Sequence, residues 1–202
     1  MLPGAAAAVA RCFKMGSMDL FLRPVAPSDL PLFFAHQRDP VASHMAAFGS
    51  ATPDDRAAFD AHWAHLLGDP NIVVRSIVFN AEVLGHVLAF EFMGERELSY
   101  WVDRAHWGRG IATAALRCFL REQTYRPLHA RAAKDNLASI RVLQRCGFVV
   151  CDEGIALAEA RGVPTEEFVF RFDGHGARSP HLPHSPHSPH SPHPPNATMK
   201  ST

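Results

Sequence analysis

A glycine-containing loop between a predicted strand and a predicted helix constrains the fold of this chain more than any other feature. The loop spans Trp107–Thr113 and reads WGRGIAT. Two glycines allow a backbone to approach a ligand closely, and the unpaired N–H groups at a helix start bind anions such as pyrophosphate. A doubly wound nucleotide-binding fold carries such a loop after its first strand, but several strand patterns precede this one. The position of the loop argues against that fold, while its chemistry points to a phosphate-bearing ligand.

The patterns on both sides of the loop predict a mixed α+β architecture. Helix signals begin at Ser28–Asp29, Thr52, Ile111 and Asp135–Asn136. Strand patterns cover Leu20–Arg23, Ile72–Phe79, Val83–Phe92, Glu97–Val102, Pro127–Ala133, Phe148–Cys151 and Glu166–Arg171. Antiparallel strands come first and later strands are crossed by helices, so we expect a mostly antiparallel central sheet flanked by helices.

Composition divides the chain into three parts. Residues 1–17 include an alanine-rich run and are predicted to form a disordered leader, and residues 18–173 are predicted to form the folded domain. Residues 174–202 contain no acidic and no aromatic side chain, and they carry a histidine at every third position from His181 to His193. Such a segment cannot bury a core, so we expect a disordered tail with polyproline II character. We predict no metal site.

Overall charge and hydropathy exclude several classes of function. The chain has 20 basic and 20 acidic side chains, and no apolar run approaches the roughly 20 residues that span a bilayer. A neutral chain of this kind argues against a mainly electrostatic nucleic-acid or membrane binder. The four cysteines contain no C-x-x-C pair, which argues against a zinc ribbon, and we expect reduced thiols in a cytoplasmic protein.

A second motif follows the loop. It begins at Asn136, continues with Ser139 and ends at Gly147-Phe148, eleven residues after the asparagine. Together the two motifs resemble the GNAT superfamily of acetyl-CoA-dependent N-acetyltransferases, and the likeness is closest to the branch containing ribosomal-protein N-terminal (alanine) acetyltransferases. The family loop reads Gln/Arg-x-x-Gly-x-Gly/Ala, so Trp107 departs from it in the first position. The resemblance covers about residues 20–172 and implies the acyltransferase fold of that family.

The resemblance also implies a reaction and a set of cofactor contacts. The reaction is transfer of the acetyl group of acetyl-CoA to a primary amine, on a peptide N-terminus or a small molecule, by direct attack in a ternary complex. The strands on either side of the loop would hold the pantetheine arm, and a backbone N–H near Val102 would stabilise the oxyanion. Asn136 has a second interpretation, as a helix N-cap. The implied acetyl-CoA-binding residues are Val102, Trp107, Gly108, Arg109, Gly110, Ile111, Ala112, Thr113 and Asn136.

Charge is distributed unevenly along the predicted domain, as an anionic cofactor requires. Residues 18–103 contain 5 basic and 12 acidic side chains, residues 104–147 contain 9 and 2, and residues 148–173 contain 2 and 6. The basic segment suits the phosphates of coenzyme A, and the acidic remainder suits a cationic amine. Arg141 and Arg145 lie one helical turn apart, and either suits the 3′-phosphate, with a solvated helix face as the alternative. We count Arg141 among the cofactor-binding residues.

Catalysis requires a base for the ammonium group and a proton for the leaving thiolate. Many relatives place a tyrosine seven residues after the asparagine, where this chain has Leu143. Some N-terminal acetyltransferases instead use a serine and a glutamate, for which Ser139 and Glu159 are the candidates here. Glu97 and Glu91, on the central strands, are alternative bases.

The missing tyrosine leaves a second function open, a noncatalytic acyl-CoA-binding sensor on the same fold. A third class, a metal-binding interaction protein built on the histidine-rich tail, is the remaining alternative. Under the enzyme interpretation we expect acetyl-CoA and an amine as partners, no nucleic acid or membrane, and a monomer or homodimer.

Overall fold

The computed structural model of the chain describes residues 10–15 and 18–174, with side chains from residue 19 onward. Within this part, eight strands form one sheet and five α-helices pack against it. The strands are β1 (Ala10–Met15), β2 (Met18–Arg23), β3 (Val73–Phe79), β4 (Glu82–Phe92), β5 (Glu95–Val102), β6 (Leu128–Ala133), β7 (Val149–Ala158) and β8 (Val163–Phe172). The helices are α1 (Leu30–Gln37), α2 (Pro40–Ala46), α3 (Arg56–Gly68), α4 (Ile111–Glu122) and α5 (Leu137–Arg145). The α+β prediction is confirmed.

One parallel pair interrupts the otherwise antiparallel sheet. The strand order is β1-β2-β3-β4-β5-β6-β8-β7, and β5 and β6 are the parallel neighbours. Their pairing is restricted to a single position, Glu97 opposite His129. Beyond that position the two strands separate, so a gap opens in the middle of the sheet between the end of β5 and the end of β6.

One face of the sheet carries a mainly aliphatic core beneath α4 and α5, which also includes four buried phenylalanines. On α4, Ala115, Leu116 and Phe119 are buried together with Leu84 and Val87 of β4. These helical residues recur at positions that share one side of an α-helix, which explains why α4 packs flat on the sheet. The burial removes a large apolar area from water and fixes the start of α4 beside the gap.

The opposite face carries an aromatic core beneath α1–α3. Phe33 and Trp63 stack with ring centroids 4.9 Å apart, and His86 of β4 meets the Trp63 ring edge-on at 5.0 Å. Nδ1 of His86 is buried without a hydrogen-bond partner. Burial, with smaller contributions from His36 and His62, lowers the pKa of His86 to about 3, so this histidine is neutral in the folded protein.

Several local predictions differ from the structure. The helix expected to start at Thr52 begins at Arg56, because the Asp55 carboxylate accepts the Ala58 N–H and caps it. The side chain of Asp29 does not cap α1. It is buried, accepts hydrogen bonds from Arg23 at 2.6 and 2.8 Å, and accepts the Ala26 N–H at the start of the short 3-10 turn before α1. Helix α2 was not predicted, since its seven residues carry no apolar stripe of helical period.

The ends of the chain and the cysteines also differ in part from expectation. Ala10–Met15, placed in the disordered leader, pair with β2 as an added strand, because an unpaired strand edge offers free backbone groups. The histidine-rich tail lies outside the described residues from position 175 onward.

Cys146 and Cys151 are free thiols, whereas Cys118 is disulfide-bonded, which cysteine spacing alone does not reveal. Among the described helices, none is long and apolar enough to cross a membrane.

Candidate active site

A cleft of about 590 Å³ occupies the gap between β5 and β6. Its walls come from the end of β5, the loop after it, the first turn of α4, β6 and α5. The end of α2 and the loop that follows β7 close it from the other face of the sheet. A cleft at a split between two strands exposes backbone groups that a continuous sheet would pair, so an extended ligand arm finds hydrogen-bond partners there.

The glycine-containing loop forms one end of this cleft. Gly108 and Gly110 have φ values of +76° and +78°, a conformation that favours glycine, and no heavy atom lies within 4 Å of a Cβ built at either one. Gly110 is the N-cap of α4, and the cleft is lined by Ile111, Ala112 and Thr113 of the first turn. The backbone N–H groups of that turn have no intrahelical acceptor, so they are available to an anion.

Trp107 ties the loop to the strand before it. Its indole N–H donates a hydrogen bond to the carbonyl oxygen of Val102 at 2.8 Å, and the side chain lines the cleft while remaining 41% exposed. Val102 lines the cleft as well. The tryptophan therefore positions the loop against β5. This contact gives a structural role to Trp107 at the position where the family pattern has Gln or Arg. Arg109, in the same loop, is not among the lining residues.

Asn136 holds the start of α5 in two directions. Its side-chain oxygen accepts the N–H of Ser139 at 3.0 Å, and its amide donates to the carbonyl of Met45 at 2.8 Å. The N-cap interpretation is therefore the one that the structure displays, and the second bond joins α5 to α2 across the cleft. Asn136 also lines the cleft, where Arg141 and Arg145 follow it on the same helix.

Two hydroxyl groups meet in the cleft wall. The phenol oxygen of Tyr100, on β5, lies 2.8 Å from Oγ of Ser139 and 3.4 Å from the Ser139 carbonyl oxygen. Burial raises the pKa of Tyr100 to about 12. Both residues line the cleft, so the serine that was predicted as catalytic has a partner that the sequence motifs do not include.

The acidic candidates occupy different environments. Glu97 is 6% exposed and accepts a hydrogen bond from Nε of Arg131 at 2.8 Å, and the same guanidinium bonds Glu167 at 2.8 Å. Glu159 lines the cleft from the loop after β7, whereas Glu91 is not among the lining residues. Glu97 is thus held in an ion pair on the floor of the cleft, whereas Glu159 lines the cleft outside that ion pair.

Sequence reasoning missed Tyr100, Arg131 and the α2 residues Met45 and Ala46, all of which line the cleft. Tyr100 had a weak signal, since it lies two residues before Val102 on the strand that leads into the loop. Arg131 and α2 had none, because their place in the site depends on which strands and helices meet at the gap.

The fold and this cleft define a group-transfer enzyme with an anion-binding loop at a split in its sheet. A family model for the acetyltransferase (GNAT) domain matches residues 19–149. The chain therefore belongs to the GNAT acetyltransferase domain family, as the resemblance predicted.

Solved structures agree with this assignment at the level of the fold. RimJ from Mycobacterium smegmatis, solved with CoA-disulfide, is 17% identical with a TM-score of 0.65, covering 83% of this chain and 85% of that one. RimL, a ribosomal L7/L12 alpha-N-protein acetyltransferase solved with coenzyme A, is 16% identical with a TM-score of 0.63, covering 82% and 98%. The microcin C7 self-immunity acetyltransferase MccE, solved with acetyl-CoA and AMP, is 15% identical with a TM-score of 0.61, covering 76% and 92%. No curated protein matches the sequence.

Proposed function

We propose that this acetyltransferase moves the acetyl group of acetyl-CoA to a primary amine by direct attack within a ternary complex. One observation carries the proposal: a single cleft is lined both by the anion-binding start of α4 and by the predicted catalytic residues Ser139 and Glu159. RimL and MccE, two structural neighbours of this chain, were solved with coenzyme A and with acetyl-CoA respectively.

The proposed cofactor site uses mainly backbone groups. The pyrophosphate lies against Gly108, Gly110 and the first turn of α4, where N–H groups and the helix dipole favour negative charge. The pantetheine arm follows the gap between β5 and β6, and a backbone N–H near Val102 receives the oxyanion. Arg141 and Arg145 line the same cleft along α5 and supply positive charge for the 3′-phosphate.

The amine enters from the opposite face, between the end of α2 and the loop after β7. Attack on the thioester requires a neutral nitrogen, so a base must accept a proton from the ammonium form. We assign this role to Glu159, because Glu97 is held by Arg131. Alignment of the amine and the thioester in one cleft supplies a further part of the acceleration.

Thiol release from acetyl-CoA across a panel of peptides and small amines tests the proposal. We expect turnover with at least one class of primary amine, and comparison of the peptide and small-molecule arms identifies which. Cofactor binding in the micromolar range without turnover on any amine would support the noncatalytic acyl-CoA-binding alternative and overturn the enzymatic one.

The base assignment has its own test. Glu159→Gln should lower kcat about 100-fold at neutral pH with little change in acetyl-CoA affinity, as expected for loss of a general base. Glu91→Gln is the matched control, since that carboxylate is on β4 and does not line the cleft. Equal rates for Glu159→Gln and the parent enzyme would remove Glu159 from the mechanism. A cytoplasmic location stays a prediction.

A further inference from the structure

The leaving thiolate needs a hydrogen-bond donor, and few residues of the cleft can supply one from a side-chain hydroxyl. The hydroxyl-bearing residues among the lining are Ser99, Tyr100, Thr113 and Ser139. Thr113 belongs to the first turn of α4, beside the loop. Ser99 neighbours Tyr100 on β5 and so points to the opposite face of the sheet. Position 143 offers no hydroxyl, since it is a leucine whose side chain belongs to the mainly aliphatic core.

The hydroxyl of Tyr100 lies within reach of two oxygens of Ser139, Oγ at 2.8 Å and the backbone carbonyl at 3.4 Å. Either hydroxyl can be the donor in the shorter contact. We assign the single phenol hydrogen to Oγ of Ser139, because the carbonyl is the more distant of the two oxygens. When Oγ of Ser139 accepts this hydrogen bond from Tyr100, the hydrogen of the Ser139 hydroxyl is free to point into the cleft, which Ser139 lines.

The backbone of Ser139 is held as firmly as its side chain. The Ser139 N–H donates to Asn136, and Asn136 in turn binds the Met45 carbonyl on α2. Ser139 is therefore positioned by β5 through Tyr100 and by α2 through Asn136. A hydroxyl that is oriented before the ligand arrives loses little entropy when it donates.

We propose that Tyr100 is a positioning residue that directs the Ser139 hydroxyl toward the sulfur of acetyl-CoA. This inference rests on the proposed function. The amine nitrogen forms a bond to the thioester carbon, and collapse of the resulting tetrahedral species breaks the carbon–sulfur bond and leaves the electron pair on sulfur. Ser139 Oγ gives its hydrogen to sulfur and takes one from the nitrogen, so the products are a neutral amide and a thiol.

Tyr100 remains protonated through this sequence. Its raised pKa, a consequence of burial, keeps the phenol a donor throughout the pH range of an assay. The tyrosine therefore donates one hydrogen bond to Ser139 continuously and contributes no proton of its own to the products.

Kinetics of three variants test the coupling. Ser139→Ala should lower kcat about 100-fold and Tyr100→Phe about 10-fold, with the KM for acetyl-CoA unchanged within about twofold. The double variant should be no slower than Ser139→Ala, because Tyr100 acts through Ser139. Tyr125→Phe is the matched control, since it removes the same atom from a side chain that is 61% exposed and does not line the cleft. Independent, multiplying effects in the double variant would overturn the proposal.

Titration of bound coenzyme A provides a readout that does not need turnover. The ultraviolet absorbance of the thiolate, measured with coenzyme A saturating the protein, should titrate at lower pH than free coenzyme A, and Tyr100→Phe should move the midpoint back toward the free value. A midpoint equal to that of free coenzyme A in the parent protein would overturn the inference. A lowered midpoint in a protein that acetylates no amine would instead retain the inference and reject the proposed function.

Discussion

The two faces of the central sheet differ in how they contribute to the site. The face beneath α4 and α5 is mainly aliphatic, and the groups that we propose for cofactor binding there are backbone N–H groups at the glycine loop and the start of α4. The face beneath α1–α3 carries aromatic rings, a histidine with a buried Nδ1 and the ion pairs of Arg131 with Glu97 and Glu167. Backbone sites tolerate changes of side chain but not of backbone conformation, whereas side-chain sites depend on charge and pH.

The largest effect is expected at the loop. Gly110→Glu should lower the affinity for acetyl-CoA at least about 100-fold, because it adds a negative charge at a helix start and strains a φ of +78°. Isothermal titration calorimetry measures the affinity, and circular dichroism confirms that the domain stays folded. Gly94→Glu is the control, with a φ of +81° and equally open space in the β4–β5 turn. Equal losses in both variants would contradict a loop-specific role.

A large loss of stability is expected on the other face from Arg131→Met. Removing the guanidinium leaves Glu97 and Glu167 without this cation, at a cost of about 3 kcal/mol in the free energy of unfolding. Urea unfolding measures this loss. Arg171→Met is the control. It removes the exposed ion pair between Arg171 and Asp173, and it should lower the free energy of unfolding by about 0.5 kcal/mol or less.

A smaller effect concerns the pH dependence of the aromatic core. His86 has a folded pKa of about 3, so the unfolded chain binds a proton below about pH 6.5 that the folded protein does not. Between pH 7.5 and 5.5 this residue should cost about 1.4 kcal/mol of stability, as the sign of proton linkage requires. His86→Leu should flatten the urea-unfolding profile by that amount. His65→Leu, at an exposed position on α3, is the reference variant. If the pH dependence of the free energy of unfolding were the same in both variants, His86 would be hydrated and the prediction would be wrong.

The smallest effect is expected from Arg141. Arg141→Ala should weaken coenzyme A binding about fivefold, a value typical of one partly solvated charge contact. The same substitution should have no effect on 3′-dephospho-coenzyme A, so the difference between the two ligands isolates the contact. Arg145→Ala, measured in parallel, decides which arginine faces the phosphate. Equal losses with both ligands would assign the arginine to the pyrophosphate, and no loss with either ligand would assign it to the solvated helix face.

Prediction from the sequence succeeded where the signal was local. The start of α4 at Ile111 was predicted correctly, because Gly110 marks it and the buried positions that follow recur with helical period. The three strands of the two central hairpins were also anticipated, over Ile72–Phe79, Val83–Phe92 and Glu97–Val102. Strands β7 and β8 were predicted too short, since β7 is an edge strand with mostly exposed side chains and a weak alternation pattern.

The sequence by itself determined the family and the loop, because glycines followed by a helix start create an anion site through backbone geometry that few other residues permit. Only the tertiary structure decided the side-chain chemistry. Tyr100 meets Ser139 across 39 positions, and Arg131 meets Glu97 across 34. Contacts of that range depend on how the strands are ordered and where β5 separates from β6, and no local pattern of residues encodes such a meeting.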